Sequence, residues 1–168
     1  MSVEAVKEYF SRFGLAGRVM EFPVSSATVE LAAAAVGVEP ARIAKTLSLR
    51  RGEDCVLLVT AGDVKIDNHK FRDFFQFKAR MLAPDEVLRL TGHAVGGVCP
   101  FALPPGTEVY ADESLRRFTT VFPACGSGSS AIELTPDELA RYADIRQWVD
   151  VCRGASSPAD SSLSPRAK

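Results

Sequence analysis

Residues 43–60 read IAKTLSLRRGEDCVLLVT, two apolar segments separated by a short polar one. Apolar and β-branched runs bounded by turn residues are typical of strands. Thr46–Arg50 and Cys55–Thr60 are therefore predicted to be strands, and the polar residues Arg51-Gly52-Glu53-Asp54 supply the turn that joins them.

Further helices and strands are predicted on both sides of this pair. The helices are the segment from Met1 to about Gly14, Thr28–Val36 with Gly37 as its C-cap, a helix capped by Asp67 with Phe71, Phe74 and Phe75 on one face, Pro84–Thr91, and a helix from Thr135 to about Tyr142. The strands are Arg18–Phe22, Lys78–Leu82, Glu108–Ala111, Thr119–Phe122, Ala131–Leu134 and Trp148–Val151. Because strands and helices interleave without regular βαβ alternation, the order indicates a mixed α/β (α+β) sheet or small barrel flanked by helices.

The chain has the size and composition of one globular domain. Its 168 residues include 46% apolar and 24% charged residues, close to the average of water-soluble proteins. The domain is predicted to cover residues 1–153. From residue 154 the sequence GASSPADSSLSPRAK has little apolar content, so 154–168 is predicted to be a disordered tail.

Composition also narrows the class of protein. The first 14 residues carry several charges and no run approaches the roughly 20 apolar residues of a membrane span, so we expect a cytoplasmic protein. The four cysteines lie far apart with no C-x-x-C pair, which predicts no structural metal. Since the net charge is −1, any RNA contact must come from a local basic patch.

The first candidate for chemistry is Lys45, in Ile43-Ala44-Lys45-Thr46-Leu47. Pro40 suits the first turn of a short helix, so Lys45 lies where that helix gives way to a buried strand. Lysine is rarely buried without a partner. Either its ammonium reaches solvent along its aliphatic stem, or it is aimed at a phosphate or at charge developing on a carbonyl oxygen.

Two loops of small residues are further candidates. In Gly96-Gly97-Val98-Cys99-Pro100-Phe101 the paired glycines allow close approach of the backbone, and their amides suit an oxyanion, although a tight turn explains the same residues. The glycine spacing fits neither a P-loop nor a dinucleotide fingerprint. The loop 124–130, ACGSGSS, either walls a pocket for small side chains or is a flexible hairpin.

Residues 65–80 form a basic run. It contains five cations against two carboxylates: Lys65, Lys70, Arg72, Lys78 and Arg80 against Asp67 and Asp73. The run is either a solvated helix face or a contact for an RNA backbone. A Cys99–His93 nucleophile pair is disfavoured because no residue in the pattern orients the histidine.

Taken in order, these segments resemble the YbaK/ProX family of trans-acting editing proteins, whose domain is also inserted in bacterial prolyl-tRNA synthetases. The matching features are Thr28-Val29-Glu30-Leu31-Ala32, Ile43-Ala44-Lys45-Thr46-Leu47, Lys65-Ile66-Asp67, Leu90-Thr91-Gly92, Gly96-Gly97-Val98-Cys99-Pro100-Phe101, and Gly126 ahead of Ile132-Glu133-Leu134. The resemblance extends over roughly residues 20–142.

This resemblance implies a single-domain mixed barrel of six to seven strands and hydrolysis of the ester at the 3′ end of mischarged tRNA, usually tRNA for proline. It places the family's invariant lysine on Lys45 and the loop that positions the aminoacyl group on Gly96 and Gly97. The substrate-binding residues that we expect are Met20, Thr28, Thr46, Cys99, Pro100, Gly126 and Ser127, and the expected tRNA-binding residues are Lys65, Lys70 and Arg72. No cofactor, metal, DNA or membrane is expected. The expected partners are the acceptor end of tRNA and a prolyl-tRNA synthetase, for a monomer or weak homodimer.

Three departures from the YbaK branch bear on the substrate. Met20, Ala124 and Ala131 stand where that branch has tyrosine, serine and aspartate, which makes cysteinyl-tRNA a poor fit. The small residues 125–130 suggest an acyl group with a small side chain such as alanine. Two rival hypotheses remain: a binding module of the same fold that captures tRNA without turnover, and a hydrolase of another activated ester.

Overall fold

The structure, a computed structural model, describes residues 2–23 and 28–154. In this part of the chain the helices are α1 (Ser2–Ser11), α2 (Val29–Val36), α3 (Asn68–Phe75), α4 (Pro84–Thr91) and α5 (Pro136–Tyr142). The strands are β1 (Met20–Glu21), β2 (Ile43–Arg51), β3 (Asp54–Ala61), β4 (Lys65–Ile66), β5 (Glu108–Asp112), β6 (Phe122–Pro123), β7 (Ser130–Ala131), β8 (Ile145–Val149) and β9 (Cys152–Arg153). Short 3-10 helices cover Ala16–Arg18, Pro40–Arg42 and Glu113–Arg117.

A curled five-stranded sheet forms the centre of the domain, in the order β6-β2-β3-β5-β8. β2 and β3 pair antiparallel over eight residue pairs, from Ala44 opposite Ala61 to Arg51 opposite Asp54. The other neighbours in this sheet are parallel. The predicted single mixed α/β domain flanked by helices is thus confirmed, and its main sheet has five strands; β1–β7 and β4–β9 form separate pairs.

Most predicted elements are present, with boundaries that differ by a few residues. The prediction for Lys78–Leu82 is wrong: this segment makes only an isolated pairing of Met81 with Leu49, because Pro84 begins α4 immediately afterwards. Of the strand predicted at Trp148–Val151, only Trp148 and Val149 belong to a strand, β8, and residues 150–151 lie between β8 and β9. The buried Asp112 carboxylate accepts a hydrogen bond from the Val151 N–H at 2.9 Å, which takes that residue out of the ladder.

Other predicted boundaries move for local reasons. α1 ends at Ser11, and residues 12–14 form a turn. Arg18 lies in a 3-10 helix, so only Met20–Glu21 of the segment predicted at 18–22 is a strand. The strands predicted at 119–122 and 131–134 are shorter and shifted, and correspond to β6 and β7. Val121 and Leu134, which lie outside these two strands, form an isolated antiparallel pairing.

The core lies between β3 and the helices packed around the sheet. Val56–Val59 of β3 are fully buried, as are Val6 and Phe10 of α1. In α3 Phe71 is buried, whereas Phe74 is 40% exposed, so the prediction of one continuous aromatic face is only partly right. No helix among the described residues is long and apolar enough to cross a bilayer.

A tight turn fixes the start of β2, where Lys45 lies. Gly62, just after β3, passes against the Pro40–Arg42 helix, and a Cβ built on it would lie 2.1 Å from the Pro40 carbonyl oxygen. Arg42 anchors the other side of the turn by donating to the Thr120 carbonyl at 3.1 Å. Sequence-distant segments therefore hold the residues that precede Lys45.

Candidate active site

A cavity of about 320 Å³ lies at the start of β2, between α2, α4 and the loop 95–98. Its walls are mainly apolar, and its polar lining includes Lys45, Thr46 and Thr28. A concave apolar site with a few converging polar groups is the usual form of a small-molecule site. The cavity brings together four of the residues predicted from sequence, since Gly96 also lines it.

Lys45 is half-buried in this cavity and is only partly engaged by the protein. Its Nζ donates to the Val64 carbonyl at 2.6 Å, and burial lowers the pKa of its ammonium, partly offset by the nearby Cys152 thiol and Asp63 carboxylate. Within the described residues no carboxylate forms a salt bridge with it. An ammonium carries three donors, so at least one is available to a ligand in the cavity.

Thr46 supplies an unpartnered hydroxyl beside Lys45. Its Oγ1 is buried and has no hydrogen-bond partner among the residues that the structure describes. Buried polar groups are nearly always paired, so such an atom in the wall of a cavity suits a polar group of a ligand.

The two glycines of the loop 96–97 have different roles. Gly96 lines the cavity with φ +95°, a conformation that favours glycine, and its N–H makes no hydrogen bond to another described residue. The Gly97 N–H donates to the Ala94 carbonyl at 2.9 Å and is unavailable as an oxyanion donor, which corrects that part of the expectation. Instead, Gly97 permits close packing, because a Cβ there would lie 2.7 Å from the Ser127 Cα.

The remaining predicted substrate-binding residues lie behind or beside the cavity. Thr28 lines it and caps α2, accepting from the Leu31 N–H at 3.1 Å. Ser127 and Gly126 form the loop that packs on Gly97. Met20 packs against the small cluster of Ala33, Ile43 and Phe122, and Cys99 and Pro100 are buried away from the cavity lining.

The structure does bring Cys99 and His93 together, at 3.5 Å between Sγ and Nε2. Both side chains are buried, and His93 Nε2 lies 2.8 Å from the Phe101 carbonyl. An acceptor at that position means that Nε2 carries the proton, so it cannot take one from the thiol. Burial raises the pKa of Cys99 to about 12. The pair is therefore structural, and it fixes the segment that leads into Gly96.

This buried histidine predicts a pH-dependent stability. Burial lowers the pKa of His93, so below the ordinary histidine pKa of about 6.5 the unfolded chain binds a proton that the folded chain does not. We expect the free energy of unfolding, measured by urea denaturation, to fall by up to about 1.4 kcal/mol per pH unit as the pH drops from about 6.5 towards 5.5. A His93→Gln variant should lose this dependence, whereas exposed His69→Gln should retain it; the reverse pattern would contradict the assignment.

The cations predicted to bind tRNA are not equivalent. Lys70 donates to the Asp150 carboxylate at 3.1 Å and to the Cys152 carbonyl at 3.2 Å. Lys65 is exposed in β4, opposite Arg153. Arg72 is exposed on α3 and lines a second cavity, of about 390 Å³.

Several wall residues were not predicted from sequence. Val87 of α4 and Ser48 of β2 line the cavity, and the Val64 carbonyl holds Lys45. The apolar spacing of Pro84–Thr91 predicts that Val87 faces inward but not what it faces. Because every residue has a backbone carbonyl, the sequence does not indicate which carbonyl accepts the hydrogen bond from Lys45.

The chain is similar in sequence to known proteins. Residues 24–142 match the aminoacyl-tRNA editing domain family. The chain is 56% identical over 154 residues to the uncharacterised protein YwhH of Bacillus subtilis (strain 168), covering 91% of this chain and 98% of that one. It is 28% identical to a proline–tRNA ligase of Streptococcus sanguinis (strain SK36), covering 78% of this chain but 21% of the ligase.

Solved structures show the same architecture. A crystal structure described as a proposed trans-editing enzyme for prolyl tRNA synthetase superposes with a TM-score of 0.82 at 30% identity, covering 91% of this chain and 98% of that one. The crystal structure of hypothetical protein APE2540 gives a TM-score of 0.78 at 29% identity, with 89% and 99% coverage.

Proposed function

This chain belongs to the aminoacyl-tRNA editing domain family, and from that premise we propose that it hydrolyses the ester of mischarged tRNA as a trans-acting deacylase. The resemblance drawn from the sequence motifs is thereby confirmed, and the chain is related to editing proteins associated with prolyl-tRNA synthetase. The acceptor end of tRNA is the substrate we assign, with prolyl-tRNA synthetase as a candidate partner in the cytoplasm.

The observation that carries this proposal is the environment of Lys45. Its ammonium is half-buried in an apolar cavity and held at one side by the Val64 carbonyl, and it forms no salt bridge with a carboxylate of the described residues. A cation in such a site stabilises developing negative charge far more than it would in water. Thr46 and Gly96 line the same cavity, and neither the Thr46 Oγ1 nor the Gly96 N–H has a hydrogen-bond partner among the described residues.

The proposed reaction is attack of water on the ester carbonyl. The water oxygen bonds to the carbonyl carbon, the carbonyl oxygen becomes negatively charged, and collapse of this intermediate breaks the bond to the ribose oxygen, which takes the proton lost by water. We assign Lys45 and the Gly96 N–H to the charged oxygen. Because the ester is already activated, positioning beside the vicinal ribose hydroxyl suffices, and no side-chain acid–base pair is required.

The acyl group that we assign is a small one, with alanine as the first candidate. Ala124 contributes to the cavity wall, and it stands where the resemblance places serine in the YbaK branch. Met20 does not line the cavity. Alanine at position 124 lacks the hydroxyl that the YbaK branch has there, which supports alanyl-tRNA for proline over cysteinyl-tRNA.

The direct test is a deacylation assay on a panel of mischarged tRNAs, including alanyl- and cysteinyl-tRNA for proline. We expect fastest release from the alanyl ester. Equal rates for every ester would contradict the assigned pocket preference. Binding of tRNA without release of any amino acid would instead support the capture-module hypothesis.

Replacing Thr46 with valine separates a ligand contact from a structural one. Because the Thr46 hydroxyl has no partner in the described residues, its loss should leave the free energy of unfolding unchanged or raise it. We expect kcat/KM for deacylation to fall roughly 3- to 10-fold, the value of one hydrogen bond.

The matched control is Thr60→Val in β3. Thr60 is buried, and its hydroxyl donates to the Ala61 carbonyl at 3.0 Å outside the cavity. This change should cost about 1 kcal/mol of stability with kcat/KM unchanged. If Thr46→Val lowered the stability by about 1 kcal/mol and left kcat/KM unchanged, the Thr46 hydroxyl would have no part in substrate binding.

A further inference from the structure

A basic groove lies between α3 and the segment that follows it. The groove has a volume of about 390 Å³ and is lined by Asn68, His69, Arg72, Lys78 and Ala79. None of these lining residues is acidic. The nearest carboxylate on the same helix, that of Asp73, lies 3.3 Å from the imidazole Nε2 of His69.

Two cations in this groove are uncompensated. Among the described residues neither Arg72 nor Lys78 forms an ion pair, and both side chains are exposed. Lys70, on the same helix, is already held by Asp150 and the Cys152 carbonyl. A guanidinium, an ammonium and an amide that converge on one concave surface suit the oxygens of a phosphate group.

The groove and the cavity of Lys45 share one stretch of backbone. Lys78 and Ala79 line the groove, and Met81, two residues further on, lines the cavity. Backbone hydrogen bonds hold this stretch alongside β2: the Arg50 N–H donates to the Arg80 carbonyl at 2.8 Å, and the Leu82 N–H donates to the Ser48 carbonyl at 3.2 Å.

The length of this stretch, from the groove to the cavity, is comparable to the length of a few stacked nucleotides. Three residues of chain, from Lys78 to Met81, span at most about 10 Å. A stacked nucleic-acid strand rises about 3.4 Å per nucleotide, so the same span covers about three nucleotides. A strand whose terminal ester enters the cavity would therefore bring a nearby internal phosphate to the groove.

We propose that the groove of Asn68, Arg72 and Lys78 binds a backbone phosphate of the single-stranded 3′ end of tRNA, about three nucleotides before the ester. This proposal rests on the proposed deacylase function. Of the tRNA-binding residues predicted from sequence, the proposal retains Arg72 and does not use Lys65 or Lys70. It also explains how a chain of net charge −1 holds a polyanion, since the contact is local.

The test is the double variant Arg72→Gln/Lys78→Gln, assayed on alanyl-tRNA for proline and on alanyl-adenosine, an ester without phosphates. With tRNA we expect KM to rise about tenfold at unchanged kcat, and the slope of log KM against log salt concentration to fall by about 1. With alanyl-adenosine we expect wild-type kcat/KM. The charge-matched control is Arg12→Gln/Arg141→Gln, in the turn after α1 and on α5, outside both cavities, which should change neither quantity.

Three results would overturn the proposal. They are an unchanged KM and salt slope for tRNA, an equal rise in KM for the control, and a loss of activity on alanyl-adenosine. Millimolar inorganic phosphate at constant ionic strength should leave the KM for tRNA unchanged; competition by phosphate alone would make the groove a site for free phosphate instead.

Direct binding separates failure of this proposal from failure of the proposed function. If the wild-type protein hydrolyses neither ester, the deacylase assignment fails. The affinity for uncharged tRNA, measured by fluorescence anisotropy, still decides the groove. A loss of about tenfold in the groove variant but not in the control supports phosphate binding, whereas equal affinities overturn it.

Discussion

Replacing Lys45 with alanine is expected to reduce kcat for deacylation by about 10²- to 10³-fold, the effect of removing one preorganised group that stabilises an oxyanion. The ammonium lies in the wall of the cavity with its Nζ 2.6 Å from the Val64 carbonyl. Burial already lowers the pKa of this ammonium, so the folded chain gains little from keeping the charge there. The variant should therefore fold normally.

Steady-state kinetics with the thermal midpoint as a folding check measures this effect. Lys45→Arg retains the charge but presents a planar guanidinium, and we expect it to recover only part of the activity. Lys7→Ala removes a lysine ion-paired with Glu21 on the surface and is the matched control, with kcat unchanged. A folded Lys45→Ala protein with wild-type kcat would exclude the proposed role of the ammonium.

Gly97→Ala is expected to destabilise the domain by about 1–3 kcal/mol and to impair catalysis at the same time. A Cβ at this position would lie 2.7 Å from both the Ser127 Cα and the Ser127 N, and backbone atoms cannot rotate away as a side chain does. The loop 96–97 would have to move from the loop 126–127. Because Gly96 lines the cavity, this movement would displace its N–H from the ester.

Urea denaturation and deacylation kinetics of the same preparation test this prediction. Gly17→Ala is the control, because no heavy atom lies within 4 Å of a Cβ built there and its φ is outside the left-handed region. That change should be neutral or slightly stabilising. If Gly97→Ala were as stable as Gly17→Ala, close packing of the two loops would not be what requires glycine at 97.

The fold could be predicted from sequence where local signals and burial agree. Gly37, Asp67 and the turn 51–54 have the predicted places because caps and turns are determined by neighbouring residues. The predicted last strand runs past Val149, where β8 ends. The Val151 N–H instead donates to the buried carboxylate of Asp112, which is about 40 positions away in the sequence. Such long-range competition for a backbone N–H has no local sequence signature.

The candidate site shows the same contrast between residues that local sequence signals mark and contacts that depend on distant segments. Residue type and motif order mark Lys45, Thr46, Thr28 and Gly96, and all four line one cavity. The different tasks of Gly96 and Gly97 could not be separated, since only coordinates show which N–H is already bonded. The basic run likewise shows which residues are charged but not which groups they contact. Lys70 was therefore grouped with Arg72, although Lys70 donates to the Asp150 carboxylate.

The most direct measurement of the central claim is the number of ester equivalents released per protein molecule. A small amount of the wild-type protein is incubated with a large excess of alanyl-tRNA for proline, and free alanine is counted over time. The proposed deacylase predicts release of many equivalents per protein molecule, well above the spontaneous rate. Tight binding of the tRNA with release at only the spontaneous rate would contradict catalysis and leave a protein that captures its ligand without turnover.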